Sequence, residues 1–171
     1  MGATDRRRQT GDAGLLQPAS ALYAHSSMSS SLTTDQIAAL HQRASEAAQN
    51  SYSPYSHFRV GAAILLYPDE RQEGAVVAGT NVENASYRLT SCAEQAAIAA
   101  AVTLYGPAIR IRGVAVVNLN GAACMPCGAC RQTILEFGGP ETAVFYPSGS
   151  GETVSTTLGE LLPAGFRLGP E

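Results

Sequence analysis

Three cysteines, Cys124, Cys127 and Cys130, fall within seven residues, and a fourth, Cys92, stands two residues before Glu94. Disulfide scaffolds spread their cysteines more evenly and belong to secreted chains, so the crowding reads as a metal site. The pairing of Cys92-Ala93-Glu94 with Pro126-Cys127-Gly128-Ala129-Cys130 sharpens that reading, because the thiolates of Cys92, Cys127 and Cys130 can meet one zinc ion. A catalytic zinc keeps its fourth position for water, and zinc lowers the pKa of that water towards roughly 7. Glu94 then has a duty beside the metal without ligating it: it takes the water's proton and delivers it elsewhere, which is hydrolytic chemistry. The competing reading closes the site with all four cysteines. It leaves Glu94 idle and asks Cys124 to reach the metal from a loop, whereas the simpler reading of Cys124 is a small thiol beside the site.

The elements that must position these residues follow from capping, periodicity and turn signals. Cys92 to Tyr105 is an Ala-rich helix stopped by Gly106-Pro107, and Cys127 to Phe137 is a helix closed by Gly138-Gly139-Pro140. Each opens on a cysteine, so two helix N-termini can face one point, where free N–H groups and the helix dipoles stabilise thiolates. Upstream, Thr33 with Gln36 predicts a capping box, and Ile37, Leu40, Ala44 and Ala47 recur at helical spacing. Ser51 to His57 reads as a loop and Phe58 to Leu66 as a strand buried on both faces. Pro68 to Gly74 is a turn into a second, antiparallel strand over Ala75 to Asn81. Strands over Ile111 to Asn118 and Thr142 to Tyr146, and a short helix over Thr157 to Leu162, complete the order αββαβαβα, which argues for a mixed sheet sandwiched by helices.

The whole chain has 171 residues, 45% hydrophobic and 15% charged, against an average near 25% charged. That composition suits one packed domain and excludes a largely disordered chain or a coiled coil. All basic residues are Arg, and the net charge of -3 is not that of a phosphate-backbone binder. No apolar run reaches membrane-spanning length. Residues 1–32 carry Arg6-Arg7-Arg8 and a serine cluster without the apolar core of a secretory signal, and are expected to be a disordered extension ahead of a domain over 33–171. A transit peptide and an alternative start at Met28 are the other readings of that segment.

With these motifs assembled, the chain resembles the small-subunit, homotetrameric cytidine deaminases, from about Ser53 to Phe166. Ser53-Pro54-Tyr55-Ser56 and Phe58-Arg59-Val60-Gly61-Ala62-Ala63 resemble the loop and first strand in which a Phe packs against the pyrimidine ring, a role that falls to Phe58. Gly79-Thr80-Asn81-Val82-Glu83-Asn84-Ala85-Ser86-Tyr87 resembles the ribose-binding stretch, which implies that Asn81 and Glu83 hydrogen-bond sugar hydroxyls. The same resemblance implies Cys92, Cys127 and Cys130 as ligands of one Zn2+ per subunit and Glu94 as proton shuttle. It directs the Ala93 N–H at the base and gives Arg131 hydrogen bonds to the ligand thiolates. Glu160-Leu161-Leu162-Pro163 followed by Phe166 resembles a C-terminal segment whose Phe lies near a neighbouring subunit's pocket. The fold implied is a three-layer α/β/α arrangement around a mixed sheet of about five strands.

Two positions depart from the family with three cysteine ligands: Gln95 stands where Arg usually follows the catalytic Glu, and Arg88 follows Tyr87 where a small residue or Pro is usual. Three thiolates on Zn2+ leave a formal charge of -1, so a missing cation weakens the Lewis acid, and Arg131, helped by Arg88, is expected to compensate. The function implied is hydrolysis of cytidine and deoxycytidine to uridine and deoxyuridine plus ammonia, in the cytoplasm and in pyrimidine salvage, with no membrane or polymeric nucleic acid as partner. The alternatives are an aminohydrolase acting on a modified cytosine nucleoside or antibiotic, and a non-catalytic, zinc-stabilised nucleoside-binding module.

Overall fold

The computed structural model describes residues 31–168. The expectation for residues 1–30, and for 169–171, lies outside the described residues. Ser31 and Leu32 are already tied in: Leu32 packs on the core under the first helix, and the Ser31 carbonyl accepts from Arg112 Nη2 at 2.8 Å. The described residues up to Arg167 belong to one unit.

Helix α1 runs over Thr34–Gln49 and opens on the expected reciprocal cap, with Thr33 and Gln36 side chains each accepting the other's backbone N–H. Strand β1, Val60–Leu66, is buried along its whole length, and β2, Val76–Thr80, pairs with it antiparallel, Gly61 opposite Thr80. A single 3-10 turn over Tyr87–Leu89 leads to α2, Ala93–Tyr105, which Gly106 ends with a positive φ of 86°. Strand β3, Ile111–Asn118, lies antiparallel to β1, and α3, Gly128–Phe137, carries the chain to β4, Ala143–Pro147, parallel to β3.

One strand escapes the sequence reading. Thr153–Thr157 forms β5, antiparallel to β4, ahead of α4, Leu158–Leu161. Its sequence TVSTT offers a single large apolar side chain, and as an edge strand it buries too little for a hydrophobic alternation to show. It supplies the fifth strand of a mixed sheet ordered β2-β1-β3-β4-β5.

Strand periodicity divides the core into two layers. Ala63, Leu65, Ala115 and Phe145 face Leu40 and Ala44 of α1, whereas Ala62, Ile64, Leu66, Val114, Val116 and Val144 face Ala93, Ala97, Ile98 and Ala101 of α2 and Ile134 of α3. The three-layer α/β/α expectation thus holds. The side carrying α2 and α3 is the one that matters for chemistry, because it seats both helices by their buried apolar stripes.

Two glycines set how closely the helices approach the sheet. A Cβ on Gly61 of β1 would collide with the backbone of α1 at Ala44 and Ala48. A Cβ on Gly79 of β2 would collide with Ala97 N and lie 2.8 Å from Ala93 O, at the start of α2. The first turn of α2 therefore rests directly on the β2 backbone.

Candidate active site

Cys92 and Cys127 are the N-cap residues of α2 and α3, and Cys130 lies in the first turn of α3. Their three Sγ atoms all lie within 4.8 Å of one another. Neither N-cap thiol makes a side-chain capping bond, so both are turned to the common point instead of back on their own helices. Three sulfurs about 2.3 Å from one zinc stand about 3.8 Å apart in tetrahedral geometry, so the cluster suits that ion with only a small contraction. Cys124 is not a member of the trio.

Glu94 occupies the first turn of α2, where acidic side chains are favoured by the helix dipole, yet it is only 4% exposed. Burial raises its pKa above the ordinary carboxylate value, against lowering by hydrogen bonds from its own backbone N–H and from Cys130. The Cys92 thiol is pulled down to about 7, chiefly by the thiol hydrogen bond from Cys130 and secondarily by Cys127, while burial and the Glu94 carboxylate oppose the change. Cys130, the donor in that bond, is correspondingly pushed up. Cys124 is pushed up to about 12, first by burial and then by the negative charges of Glu94, Cys92 and Cys127. It stays a neutral thiol beside the cluster.

A cavity of about 230 Å³ opens on these groups. Cys92, Glu94, Cys124 and Cys127 line one side, Phe58, Val60 and Met125 supply apolar wall, and Asn81, Thr90 and Ser91 supply polar wall. Ligand pockets for drug-sized molecules run from roughly 300 Å³ upwards, so this one suits a smaller, partly polar molecule.

The structure brings together Cys92, Ala93, Glu94, Phe58, Asn81 and Cys127 around this cavity, with Cys130 behind them. It leaves Glu83 and Phe166 outside. The Glu83 carboxylate accepts from the backbone N–H groups of Tyr55 (2.9 Å) and Ser56 (3.2 Å) and from the Ser56 hydroxyl, which depresses its pKa and ties it to the 53–57 loop. Phe166 is 68% exposed, its carbonyl accepting from Gln132 Nε2 at 2.7 Å. Gln95 is half-buried in the first turn of α2 and does not line the cavity, and Arg88 is exposed on the 3-10 turn.

Arg131 departs from the thiolate contact expected of it. Its Nε donates to Pro126 O at 2.8 Å and its Nη1 to Leu161 O at 2.9 Å. The physical reason is its direction: a long helical side chain leans towards the helix N-terminus, and this one finds unsatisfied carbonyls of the preceding loop and of α4 there. The first-turn N–H groups of α2 and α3 precede the first intrahelical bonds, Ala96 N to Cys92 O and Arg131 N to Cys127 O. Sequence reasoning missed Thr90 and Ser91 in the polar wall, and Ser51, which reaches the wall only through Asn81; none carried a signal beyond a hydroxyl in a loop.

A thiol trio at two helix N-termini beside a buried carboxylate makes this a zinc enzyme of hydrolytic type, and the sheet-and-helix frame is shared with known deaminases. Residues 34–146 match the family model for the cytidine and deoxycytidylate deaminase zinc-binding region. The cytidine deaminase of Mycobacterium tuberculosis is 43% identical over 129 residues, 75% of this chain and 88% of that protein. Its crystal structure superimposes with a TM-score of 0.65 at 42% identity, over 77% of this chain and 98% of that one. The cytidine deaminase structure from Burkholderia pseudomallei gives 0.66 at 37% identity, over 79% and 100%. The chain belongs to the cytidine and deoxycytidylate deaminase family, and its cofactor is Zn2+.

Proposed function

We propose that this chain is a cytidine deaminase, converting cytidine and deoxycytidine to uridine and deoxyuridine with release of ammonia. The observation that carries the reading is the trio of thiols within 4.8 Å, set beside a 4%-exposed glutamate at the end of a nucleoside-sized cavity. Cys92, Cys127 and Cys130 hold the ion, and zinc, when bound, supplies the Lewis acidity that makes water a nucleophile near neutral pH.

The remaining work belongs to the chain's own residues. Glu94 accepts a proton from water as the new C–O bond forms at C4 of the cytosine ring, and it returns that proton to N3. A second proton transfer lets the C4 amino group leave as ammonia, restoring the planar ring as uracil. Burial of Glu94 beside the trio keeps the carboxyl in a water-poor setting, where one group can first take a proton and then give it up. Phe58 packs on the pyrimidine, and the Ala93 N–H is directed at the base. The Asn81 amide, with one N–H still uncommitted, donates to a sugar hydroxyl, and Glu83, outside the cavity lining and held by the 53–57 loop, accepts from a hydroxyl that reaches beyond the cavity.

Each site is completed by another copy of the chain, in a homotetramer that presents Phe166 to its neighbour. The exposure of Phe166, and of Tyr55 and Tyr87 in edge-to-face contact at 6.4 Å, supports a surface covered by protein. We place the enzyme in the cytoplasm, where three thiolates stay reduced, and in pyrimidine salvage. The catalytic domain takes in Ser31 and Leu32 as well as α1, since both are bound to its core. No described helix is long and apolar enough to cross a membrane.

The test is ultraviolet spectroscopy of zinc-loaded protein with cytidine and deoxycytidine, the Glu94→Ala variant run in parallel. Conversion by the wild type alone supports the reading, and no conversion of either nucleoside by folded, zinc-loaded protein overturns it.

A further inference from the structure

Asn81 is 8% exposed, and its side-chain hydrogen bonds run along the cavity wall. Oδ1 accepts from Val60 N at 3.0 Å and from the Ser51 hydroxyl at 2.6 Å, while Nδ2 donates to Phe58 O at 2.8 Å. These partners fix which end of the amide is oxygen, since a backbone N–H needs an acceptor and a carbonyl needs a donor. The Asn81 backbone adds a second rung, its N–H donating to Val60 O at 3.1 Å and its C=O accepting from Tyr52 N at 3.1 Å. One amide therefore brackets Phe58, Arg59 and Val60, and both ends of that bracket, Phe58 and Val60, line the cavity.

Ser51 is what holds the bracket. It follows the last turn of α1, its hydroxyl lies 3.1 Å from that of Ser53, and it does not line the cavity. A buried amide carrying one good bond at each end can still tilt about its χ angles, and the third bond from Ser51 removes that freedom. Phe58 precedes β1, outside the sheet ladder; its ring packs against the core under α2, and its backbone is placed by such side-chain bonds and by the Ser56 hydroxyl, which accepts from Phe58 N at 3.0 Å.

We propose that Ser51 is a positioning residue, acting through the Asn81 amide to set Phe58 against the pyrimidine ring. The inference rests on the deaminase reading for what Phe58 touches, and adds a residue that meets no substrate.

The experiment compares wild type, Ser51→Ala, Ser51→Thr, Phe58→Leu and the Ser51→Ala/Phe58→Leu double variant, all zinc-loaded. Loss of one neutral hydrogen bond is expected to raise KM for cytidine about fivefold in Ser51→Ala, with kcat within about twofold. Ser51→Thr, which keeps the hydroxyl, restores KM to within about twofold of wild type. In the Phe58→Leu background the Ser51→Ala effect shrinks below about twofold, the sign of a shared path. An unchanged KM in Ser51→Ala, or a full fivefold effect without the Phe58 ring, overturns the proposal. Hydrogen exchange at the Val60 amide judges the clamp without turnover: it accelerates in Ser51→Ala and recovers in Ser51→Thr if the clamp is real, and equal rates overturn it. A wild type that fails to turn over cytidine sinks the deaminase reading alone, and the exchange rates then still decide the clamp.

Discussion

At the scale of single residues, the site divides one chemistry among side chains that look alike in composition. Three thiols and one carboxylate line the end of the cavity with a fourth thiol behind them, and geometry separates a trio of mutually close sulfurs from one neutral thiol and one buried carboxylate. Replacing Glu94 by Gln keeps the shape and removes the shuttle, so kcat for cytidine should fall by about 10²- to 10⁴-fold with zinc content unchanged. Retention of more than about a tenth of wild-type kcat would remove Glu94 from the mechanism. Cys124→Ser tests the division of the thiols. The zinc content by atomic absorption is expected to match wild type, because Cys124 stands outside the trio, whereas Cys127→Ser should lose metal. Equal zinc loss in both variants would instead mean a closed site with four thiolates. Cys92-Ala93-Glu94 and Cys127-Gly128-Ala129-Cys130 were legible as a metal site from spacing alone, since a helix start fixes where its first side chains point. The partners of Glu83 and Arg131 were not legible, because a charged side chain in a loop or along a helix can reach several acceptors or donors, and only folding chooses among them.

At the scale of elements, the site depends on how tightly α2 lies on β2. Gly79→Ala forces a Cβ into the backbone of α2 at Ala97 and Ala93, so the helix must move and carry Cys92 and Glu94 with it. Overpacking of this kind costs about 1–3 kcal/mol, and it should appear together with weakened zinc binding, measured by chelator competition. Lost stability with full zinc affinity would show that the helix start does not depend on this contact. On the other face, His41 of α1 lies edge-on to Phe145 of β4 at 5.9 Å, and burial holds its pKa below 6.5. The unfolded chain therefore binds the proton more readily than the folded one, so this residue's stabilising contribution is complete above about pH 6.5 and is lost as pH falls through its folded-state pKa. His41→Gln should flatten that part of the stability profile, read as Tm between pH 5 and pH 7.5. A profile parallel to wild type would assign the acid sensitivity elsewhere.

At the scale of the whole molecule, the proposed homotetramer is open to direct test. Phe166 lies at 68% exposure on the C-terminal segment that Gln132 and Arg167 tie to α3, the helix that carries two of the thiols. Light scattering should give a mass four times that of the 17.8 kDa chain, and Phe166→Ala should raise KM for cytidine with Tm close to wild type if that ring completes a neighbouring site. A monomeric mass with full activity would confine the site to one chain.

Local chemistry determined much of this protein before folding is considered. Caps at Thr33, Cys92 and Cys127, the stop at Gly106-Pro107 and the apolar run of β1 act within a few residues, and their elements stand where the sequence puts them to within a residue or two. The polar edge strand β5 needed its partner β4 to exist at all, because its backbone groups are satisfied there and its side chains bury little. The close seat of α2 on Gly79, the bond from Arg131 to Leu161 and the Ser51–Asn81 bracket around Phe58 likewise join residues distant in the chain. Such contacts depend on where whole elements come to rest against each other, and that is settled by packing the two faces of one sheet, which no short stretch of sequence encodes.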